Sequence, residues 1–343
     1  MKLLTLSSMT ILLIGASLLN AETVNIKLPE VPEVPKVEAV VPTVNVISNS
    51  SSKTNAQIIE EATRKKVVIF SDHVAPEMME TKDTPQKVIE AGDIENGRVA
   101  AYLHAPFMSE EDVVKTLQGA GFTILAKHKV DKKGKAVSIV FTNAELQKVS
   151  SKNLRGFAGA LRITVDKKNN LLNISNPIYM QRAFMQDEYD SATAEKTLAT
   201  LRSSFKDLKN SKELIKFRVL ERFQFMEGMP RYADMQIIKK APNATLLASA
   251  QKSKKVVYEH KLENGAVVLG VKLGKRTSKF IKKTGYQNAG LLPYPVLIEN
   301  GEAKILDPKY YIAVMYPMLK MSQFMKIATV PGAISKDVDK IFR

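Results

Sequence analysis

The 343-residue sequence contains no cysteine and no tryptophan, and it has only four histidines. Without cysteine the chain has no disulfide, no thiol nucleophile, no zinc ribbon and no iron–sulfur cluster. The histidines, His73, His104, His128 and His260, are scattered along the chain, and no two of them are four residues apart. This spacing forms no metal-binding motif, so we expect structural or surface roles for them, with no metal and no cofactor.

The motifs of common hydrolases and nucleotide-binding proteins are missing as well. The sequence has no Gly-x-Ser-x-Gly elbow and no His-Glu-x-x-His pair. In the segment Gly270–Thr277 only three residues separate the glycines, and Arg276 stands between Lys275 and the threonine. A phosphate-binding loop needs a longer arc and a lysine directly before Ser or Thr. Spacing alone assembles no nucleophile, base and orienting group, which favours a non-enzymatic protein while leaving an enzyme open.

The N-terminus has the pattern of a bacterial signal peptide. Lys2 precedes an apolar stretch at 3–19, and Ala21 supplies the small residue that a signal peptidase requires. Residues 1–21 are therefore predicted to be a signal peptide, and the absence of cysteine excludes a lipoprotein. An uncleaved anchor helix is the alternative, although the stretch is short for crossing about 30 Å of hydrocarbon. An exported chain without cysteine indicates a bacterial periplasm.

Residues 22–53 are predicted to form a leader or linker. Pro29, Pro32, Pro35 and Pro42 are separated by valine- and glutamate-containing spacers, and a serine-rich run follows. Proline at this spacing favours extended polyproline II over a packed element. The segment is either a stalk or a plain disordered leader. Residues 54–98 are a lead-in to which the sequence assigns no clear structure.

An internal repeat organises the rest of the chain. Residues 159–177 align without a gap with residues 290–308, at an offset of 131 positions. We therefore predict two tandem copies of one domain, which agrees with the chain length. The predicted units are a first copy at 99–190, a linking helix at 191–212, a second copy at 213–330 and a C-terminal tail at 331–343.

Turn and capping residues divide each copy into hairpins and helices. Asn264-Gly265 and Asn300-Gly301 predict hairpin turns that need positive φ. Asn176-Pro177 and Asp307-Pro308 place a capping side chain before a proline at the first helical position, so each predicts a helix start. Ser109 predicts another helix, because acidic residues follow it as in a capping box. Antiparallel hairpins with separate helices predict the α+β class.

The second copy also resembles a known family. The motif Gly290-Leu291-Leu292-Pro293, followed by Asn300-Gly301 and the closing Asp307-Pro308, resembles the C-terminal signature of the domain-of-unknown-function family 302. The first copy resembles the opening of that family at residues 109–114 and 121–125. The resemblance implies a compact domain of antiparallel strands and helices, and it brings no agreed activity.

The chain departs from the family pattern at two places. The resemblance covers roughly residues 99–186 and 214–318. Family members commonly carry a Cys-Asn-Pro element and a cysteine after the Leu-Leu-Pro proline. The corresponding stretches here are Gly270-Val271-Lys272 and Tyr294-Pro295, so no cysteine chemistry is implied for this chain.

Positive charge is the strongest functional signal. The sequence has 51 Lys and Arg against 35 Asp and Glu, a formal charge of +16. Residues 264–298 contain no acidic residue, and neither do residues 146–165. These blocks predict a basic surface at the same place in each copy, formed in the second copy by Lys272, Lys275, Arg276, Lys279, Lys282 and Lys283, and in the first by Lys152, Arg155 and Arg162.

A concentrated basic surface attracts polyanions through its summed field and the release of counterions. In a periplasm we expect the partner to be an anionic envelope component or an acidic protein, with peripheral membrane or cell-wall contact, and we expect no nucleic acid. The alternative is a solvated face whose charge only keeps the protein soluble. A catalytic role for these residues is the weakest of the three interpretations.

Aromatic and methionine side chains suggest a second hypothesis. The chain could carry a small amphipathic or aromatic ligand in a groove between the copies, lined by Tyr179, Phe184, Tyr310, Tyr311 and Met315. Met315, Met318, Met321 and Met325 also fall near one face of the last predicted helix. Thioethers bind copper(I), but a methionine stripe is more typical of core packing or of a contact surface.

Overall fold

A computed structural model describes residues 88–343 of the chain. Within this part the protein combines α-helices with antiparallel sheets, which confirms the predicted α+β class. The predicted signal peptide at 1–21, the leader at 22–53 and most of the lead-in at 54–98 lie outside the described residues. Within the described range no helix is both long enough and apolar enough to cross a membrane.

The elements are numbered here in chain order. The strands are β1 Arg98–Ala100, β2 Tyr102–Pro106, β3 Thr123–Lys129, β4 Ala136–Thr142, β5 Leu161–Asp166, β6 Leu171–Ser175, β7 Lys209–Asn210, β8 Leu214–Lys216, β9 Gln236–Lys240, β10 Val256–Lys261, β11 Val267–Val271, β12 Tyr294–Glu299 and β13 Glu302–Ile305. The helices are α1 Glu110–Gly119, α2 Ala144–Ser150, α3 Pro177–Met185, α4 Ser191–Ser204, α5 Phe217–Leu220, α6 Asn243–Gln251, α7 Ile281–Thr284, α8 Pro308–Met315, α9 Met321–Met325 and α10 Val330–Asp339. Short 3-10 helices include Gly156–Gly159, Thr277–Phe280 and Tyr286–Leu291.

The two larger sheets share one strand order. The first sheet runs β3-β4-β5-β6-β2 with the short β7 added at its edge, and the second runs β10-β11-β12-β13-β9. The described chain has two halves, one from β2 to α3 and one from β9 to α8. In each half a strand and a helix are followed by a hairpin, a helical segment, a second hairpin and a closing helix. This agreement is what the sequence repeat predicts; that the halves are copies of one domain stays a prediction.

The predicted turns and helix starts are confirmed. Gly265, Asn300 and Gly301 have φ values of 81°, 54° and 74°, as the hairpin turns require. The side chain of Asn176 accepts a hydrogen bond from the Ile178 amide at the start of α3, and Asp307 does the same for α8. These features depend on residues close together in sequence, which is why local patterns predict them.

The two halves interlock through the segments that precede their central strands. Gly156, in the first half, lies against Val268 and Leu297 of the second sheet. Reciprocally, Gly290 of the second half lies nearest to Tyr102 and Thr164 of the first sheet. The buried apolar side chains of both halves consequently form one continuous core.

The predicted C-terminal tail at 331–343 is wrong. Residues Val330–Asp339 form α10, whose Ile334 and Val338 are fully buried. Ile341 and Phe342 are buried after it. The apolar residues recur at helical spacing, so the sequence does contain the signal for a packed helix. The second structural unit therefore extends beyond the predicted boundary at 330.

Candidate anion-binding site

The basic cluster of the second half lies on the segment that follows β11. All six of its side chains are exposed: Lys272, Lys275, Arg276, Lys279, Lys282 and Lys283. The segment contains the 3-10 helix Thr277–Phe280 and α7, in which Phe280 and Ile281 are buried, and Lys275 lies in the turn before them. The packing of Phe280 and Ile281 leaves the lysines of this segment exposed.

Four of these lysines line a cavity of about 570 Å³. They are Lys272, Lys275, Lys279 and Lys282. Arg276 and Lys283 do not line it, and the Lys283 ammonium instead donates to the Lys326 carbonyl oxygen at 2.8 Å. The predicted cluster is therefore divided between the cavity and the neighbouring surface.

The facing wall comes from the first half of the chain. The β3–β4 hairpin contributes Lys129, Lys132, Lys133 and Lys135 to the same cavity, which we call the lysine cavity. This wall was not predicted from the sequence. A run of lysines at 127–135 is visible in the sequence, but the contact joins segments roughly 140 residues apart, and only the packing of the two halves brings them together.

The charge of the lysine cavity is almost unopposed. Asp131 is the one acidic residue among the described residues that line it. The Asp131 carboxylate accepts hydrogen bonds from the Tyr286 hydroxyl at 3.0 Å and from the Lys135 amide at 2.9 Å. Within residues 88–343 none of the eight lining lysines forms a salt bridge. Eight ammonium groups around one opening produce a field that favours a polyanion.

Part of the cavity lining is apolar and firmly held. Val130, Leu273 and Ile281 are buried beneath the lysines. The segment is fixed by Asp337 of α10, which accepts hydrogen bonds from the Gly274 amide at 2.8 Å and from the Thr277 hydroxyl at 2.6 Å. Burial alone would raise the pKa of the Asp337 carboxyl, but these bonds outweigh it and hold the pKa below its ordinary value.

His128 is a buried histidine beside the cavity wall. It lies on β3 next to Lys129 and is buried. Burial, together with the charge of Lys272, lowers the pKa of His128 from 6.5 to about 4. The imidazole is therefore neutral at physiological pH and adds no charge of its own.

We expect His128 to make the fold less stable in acid. Because its folded-state pKa lies near 4, the unfolded chain binds a proton first, near pH 6.5. The stability that is present above pH 6.5 then declines as the pH falls toward 4. The shift corresponds to a loss on the order of 3 kcal/mol. Urea unfolding at neutral pH and near pH 4 should show a larger loss for the wild type than for His128→Gln; equal losses would contradict the assignment.

The basic residues predicted in the first half do not form a matching surface. Lys152 pairs with Glu188 at 2.5 Å, and Arg155 pairs with Asp187 at 2.8 Å. Arg162 is only 4% exposed. The prediction of a basic surface in both halves is therefore wrong for the first half, since its charges are neutralised or buried.

In the first half, the segment before β5 contacts a carboxylate of the second half. The Glu299 carboxylate accepts hydrogen bonds from the Leu154 amide at 2.8 Å and from the Asn264 side chain at 2.9 Å. In the repeat alignment Glu299 corresponds to Lys168, whose ammonium lies 5.7 Å from the centre of the Tyr286 ring beside the lysine cavity. Two equivalent positions of the alignment thus carry opposite charges, and the lysine is the one beside the lysine cavity.

Arg162 is buried because the second half covers its side of the sheet. It lies on β5 on the same face as Thr164, which is close to Gly290. Burial lowers the pKa of its guanidinium, but the phenols of Tyr311, Tyr258 and Tyr102 outweigh burial and raise it. Its Nε has no hydrogen-bond partner within the described residues. Arg162 is thus inaccessible to an external polyanion.

The predicted aromatic groove is also wrong, because its residues are buried in the core. Its five residues are at most 2% exposed: Tyr179, Phe184, Tyr310, Tyr311 and Met315. The Tyr179 hydroxyl donates to the Val314 carbonyl oxygen at 2.7 Å, and the Tyr310 hydroxyl donates to the Ala183 carbonyl oxygen at 3.3 Å. Helices α3 and α8 pack directly on each other, and neither of the two cavities described, of about 570 and 290 Å³, is lined by these side chains.

Other candidate chemistry finds no geometric support. Among residues 88–343 no three His, Asp or Glu side chains are grouped closely enough to hold a metal ion. His73 lies outside this range. The methionine stripe is divided, because Met315 is buried whereas Met318, Met321 and Met325 are exposed.

Comparison of the chain with protein-family models, with curated proteins and with solved structures finds no match. The resemblance to the domain-of-unknown-function family 302 therefore stays a prediction.

Proposed function

We propose that the protein is a non-enzymatic binding protein that captures a polyanion in the lysine cavity. The observation that carries the proposal is the convergence on one cavity of about 570 Å³ of eight exposed lysines from two distant segments, none of which forms a salt bridge within residues 88–343. A volume of this size lies within the range of small-molecule sites. Lysine is a compact point charge with three donors, so the cavity favours a ligand that carries several phosphate or carboxylate groups.

The proposed partner is an anionic component of the bacterial envelope, or the acidic part of a protein, that inserts such groups. The compartment follows from the predicted signal peptide at 1–21 and is part of the proposal. The apolar residues Val130, Leu273 and Ile281 beneath the lysines suit a ligand whose anionic groups are attached to a less polar body. The proposal of a polyanion in the lysine cavity replaces the carrier hypothesis, since the five residues assigned to the carrier's groove are buried in the core.

A calorimetric titration with inorganic tripolyphosphate tests the proposal. We expect saturable binding whose affinity falls at least about tenfold as the NaCl concentration rises from about 0.05 M to about 0.5 M, because salt screens exposed charges and competes for them. An affinity that does not change with salt would exclude electrostatic capture, and absence of binding at low salt would overturn the proposed function.

A further inference from the structure

A short segment near the lysine cavity exposes methionines. Met318, Met321 and Met325 are 51%, 37% and 63% exposed. By contrast Met180, Met185 and Met315 are at most 3% exposed, as expected of core side chains. Three exposed apolar side chains within eight residues form a candidate contact surface, and flexible methionine suits such a surface.

The exposed methionines lie on a fixed part of the fold. Leu319, Phe324 and Ile327 anchor the segment from beneath and are at most 5% exposed. The Phe324 ring packs against Phe225 with 5.4 Å between the ring centres. The start of α9 is capped, since the Lys320 amide donates to the Gln323 side chain at 2.9 Å. The outward position of the methionines therefore follows from the packing of this segment.

Lysines accompany the methionines, and acidic residues are missing from this stretch. Lys320 and Lys326 are exposed, and neither forms a salt bridge within the described residues. Residues 308–336 contain no Asp or Glu. The hydrogen bond from Lys283 to the Lys326 carbonyl oxygen joins this segment to the basic segment of the cavity. We call Met318, Lys320, Met321, Met325 and Lys326 the methionine–lysine edge.

We propose that the methionine–lysine edge docks onto the surface of an anionic lipid bilayer. The methionines enter the boundary between head groups and acyl chains, while the lysines contact lipid phosphates. Apolar side chains combined with cationic ones are the composition that binds anionic membrane surfaces. No residue of the edge lines either described cavity, so the edge offers a surface for a membrane and no pocket for a small ligand. Docking there would hold the lysine cavity close to the lipid surface.

Vesicle sedimentation of the full chain tests this proposal. The wild type should sediment with vesicles of phosphatidylglycerol and phosphatidylcholine, and at least about tenfold less with phosphatidylcholine alone. The variant Met318→Ser, Met321→Ser, Met325→Ser should bind the anionic vesicles at least about tenfold more weakly. Because these side chains are exposed, its thermal unfolding midpoint and its tripolyphosphate affinity should match those of the wild type.

The matched control replaces three exposed apolar residues elsewhere, Leu214→Ser, Val219→Ser and Ile237→Ser, and should sediment as the wild type does. Equal sedimentation of the methionine variant and the wild type would overturn the proposal. So would equal binding of the wild type to both vesicle types. If the methionine variant changed only the self-association seen by analytical ultracentrifugation, the edge would instead be an interface between copies. The tripolyphosphate titration tests the lysine cavity independently, so a failure of the membrane proposal can be distinguished from a failure of the proposed function.

Discussion

Replacing Lys275, Lys279 and Lys282 together with alanine is expected to lower the affinity for tripolyphosphate about 100-fold. These side chains share one wall of the lysine cavity and form no salt bridge within the described part of the chain. A charge-assisted hydrogen bond contributes about 1.5–3 kcal/mol when well sheltered. Exposure reduces this to about 1 kcal/mol for each lysine, or about 3 kcal/mol in total. Calorimetric titration at low salt measures the effect.

A control with the same loss of net charge distinguishes the cavity from bulk electrostatics. Lys115, Lys206 and Lys309 are exposed and do not line the cavity. Their joint replacement with alanine should change the affinity less than about threefold, because distant charges are screened. A comparable loss in both variants would mean that the net charge of the protein, and not the cavity, binds the probe.

The substitution Gly270→Ala is expected to destabilise the fold by about 3 kcal/mol or more. A Cβ added at this position would lie 2.0 Å from the nearest ring carbon of Tyr258 on the neighbouring strand. The ring is only 6% exposed, so it cannot move away without repacking the core. Overpacking of this kind typically costs about 1–3 kcal/mol and sometimes more. Gly270 is part of β11, which leads directly into the cavity wall at Lys272.

Urea unfolding measures this effect, and Gly119→Ala is the matched control. Gly119 lies in α1, and a Cβ added there would meet no atom within 4 Å. Alanine at this position should leave the free energy of unfolding unchanged or raise it by up to about 1 kcal/mol. If Gly270→Ala were as stable as the wild type, the Tyr258 ring could not lie over residue 270 as described.

Features that depend on neighbouring residues could be predicted from the sequence. The caps at Asn176 and Asp307 and the turn at Asn300-Gly301 are confirmed, because each one is determined within a few residues. The α+β class follows from the same patterns. The helix predicted in the linking region also forms, as α4; it ends at Ser204 because Phe205 adopts an extended backbone conformation.

The site could be predicted only in part, because it depends on packing between the halves. The exposed lysines on the second-half segment follow from the acid-free block at 264–298. The wall formed by Lys129 to Lys135 could not be predicted in this way, since no local pattern indicates which distant segment faces the second-half lysines. Arg162 was predicted to be exposed and is buried. A charged residue on a strand suggests exposure to solvent, but the segment Tyr286–Leu291 covers that side of the sheet.

The most direct test of the account is lysine acylation footprinting in the presence and absence of tripolyphosphate, with each site quantified by mass spectrometry. We expect the probe to protect the eight lysines of the cavity, Lys129, Lys132, Lys133, Lys135, Lys272, Lys275, Lys279 and Lys282, and to leave Lys115, Lys206 and Lys309 as reactive as before. Uniform protection of all exposed lysines, or protection confined to lysines outside the cavity, would contradict the claim that this cavity is the polyanion site.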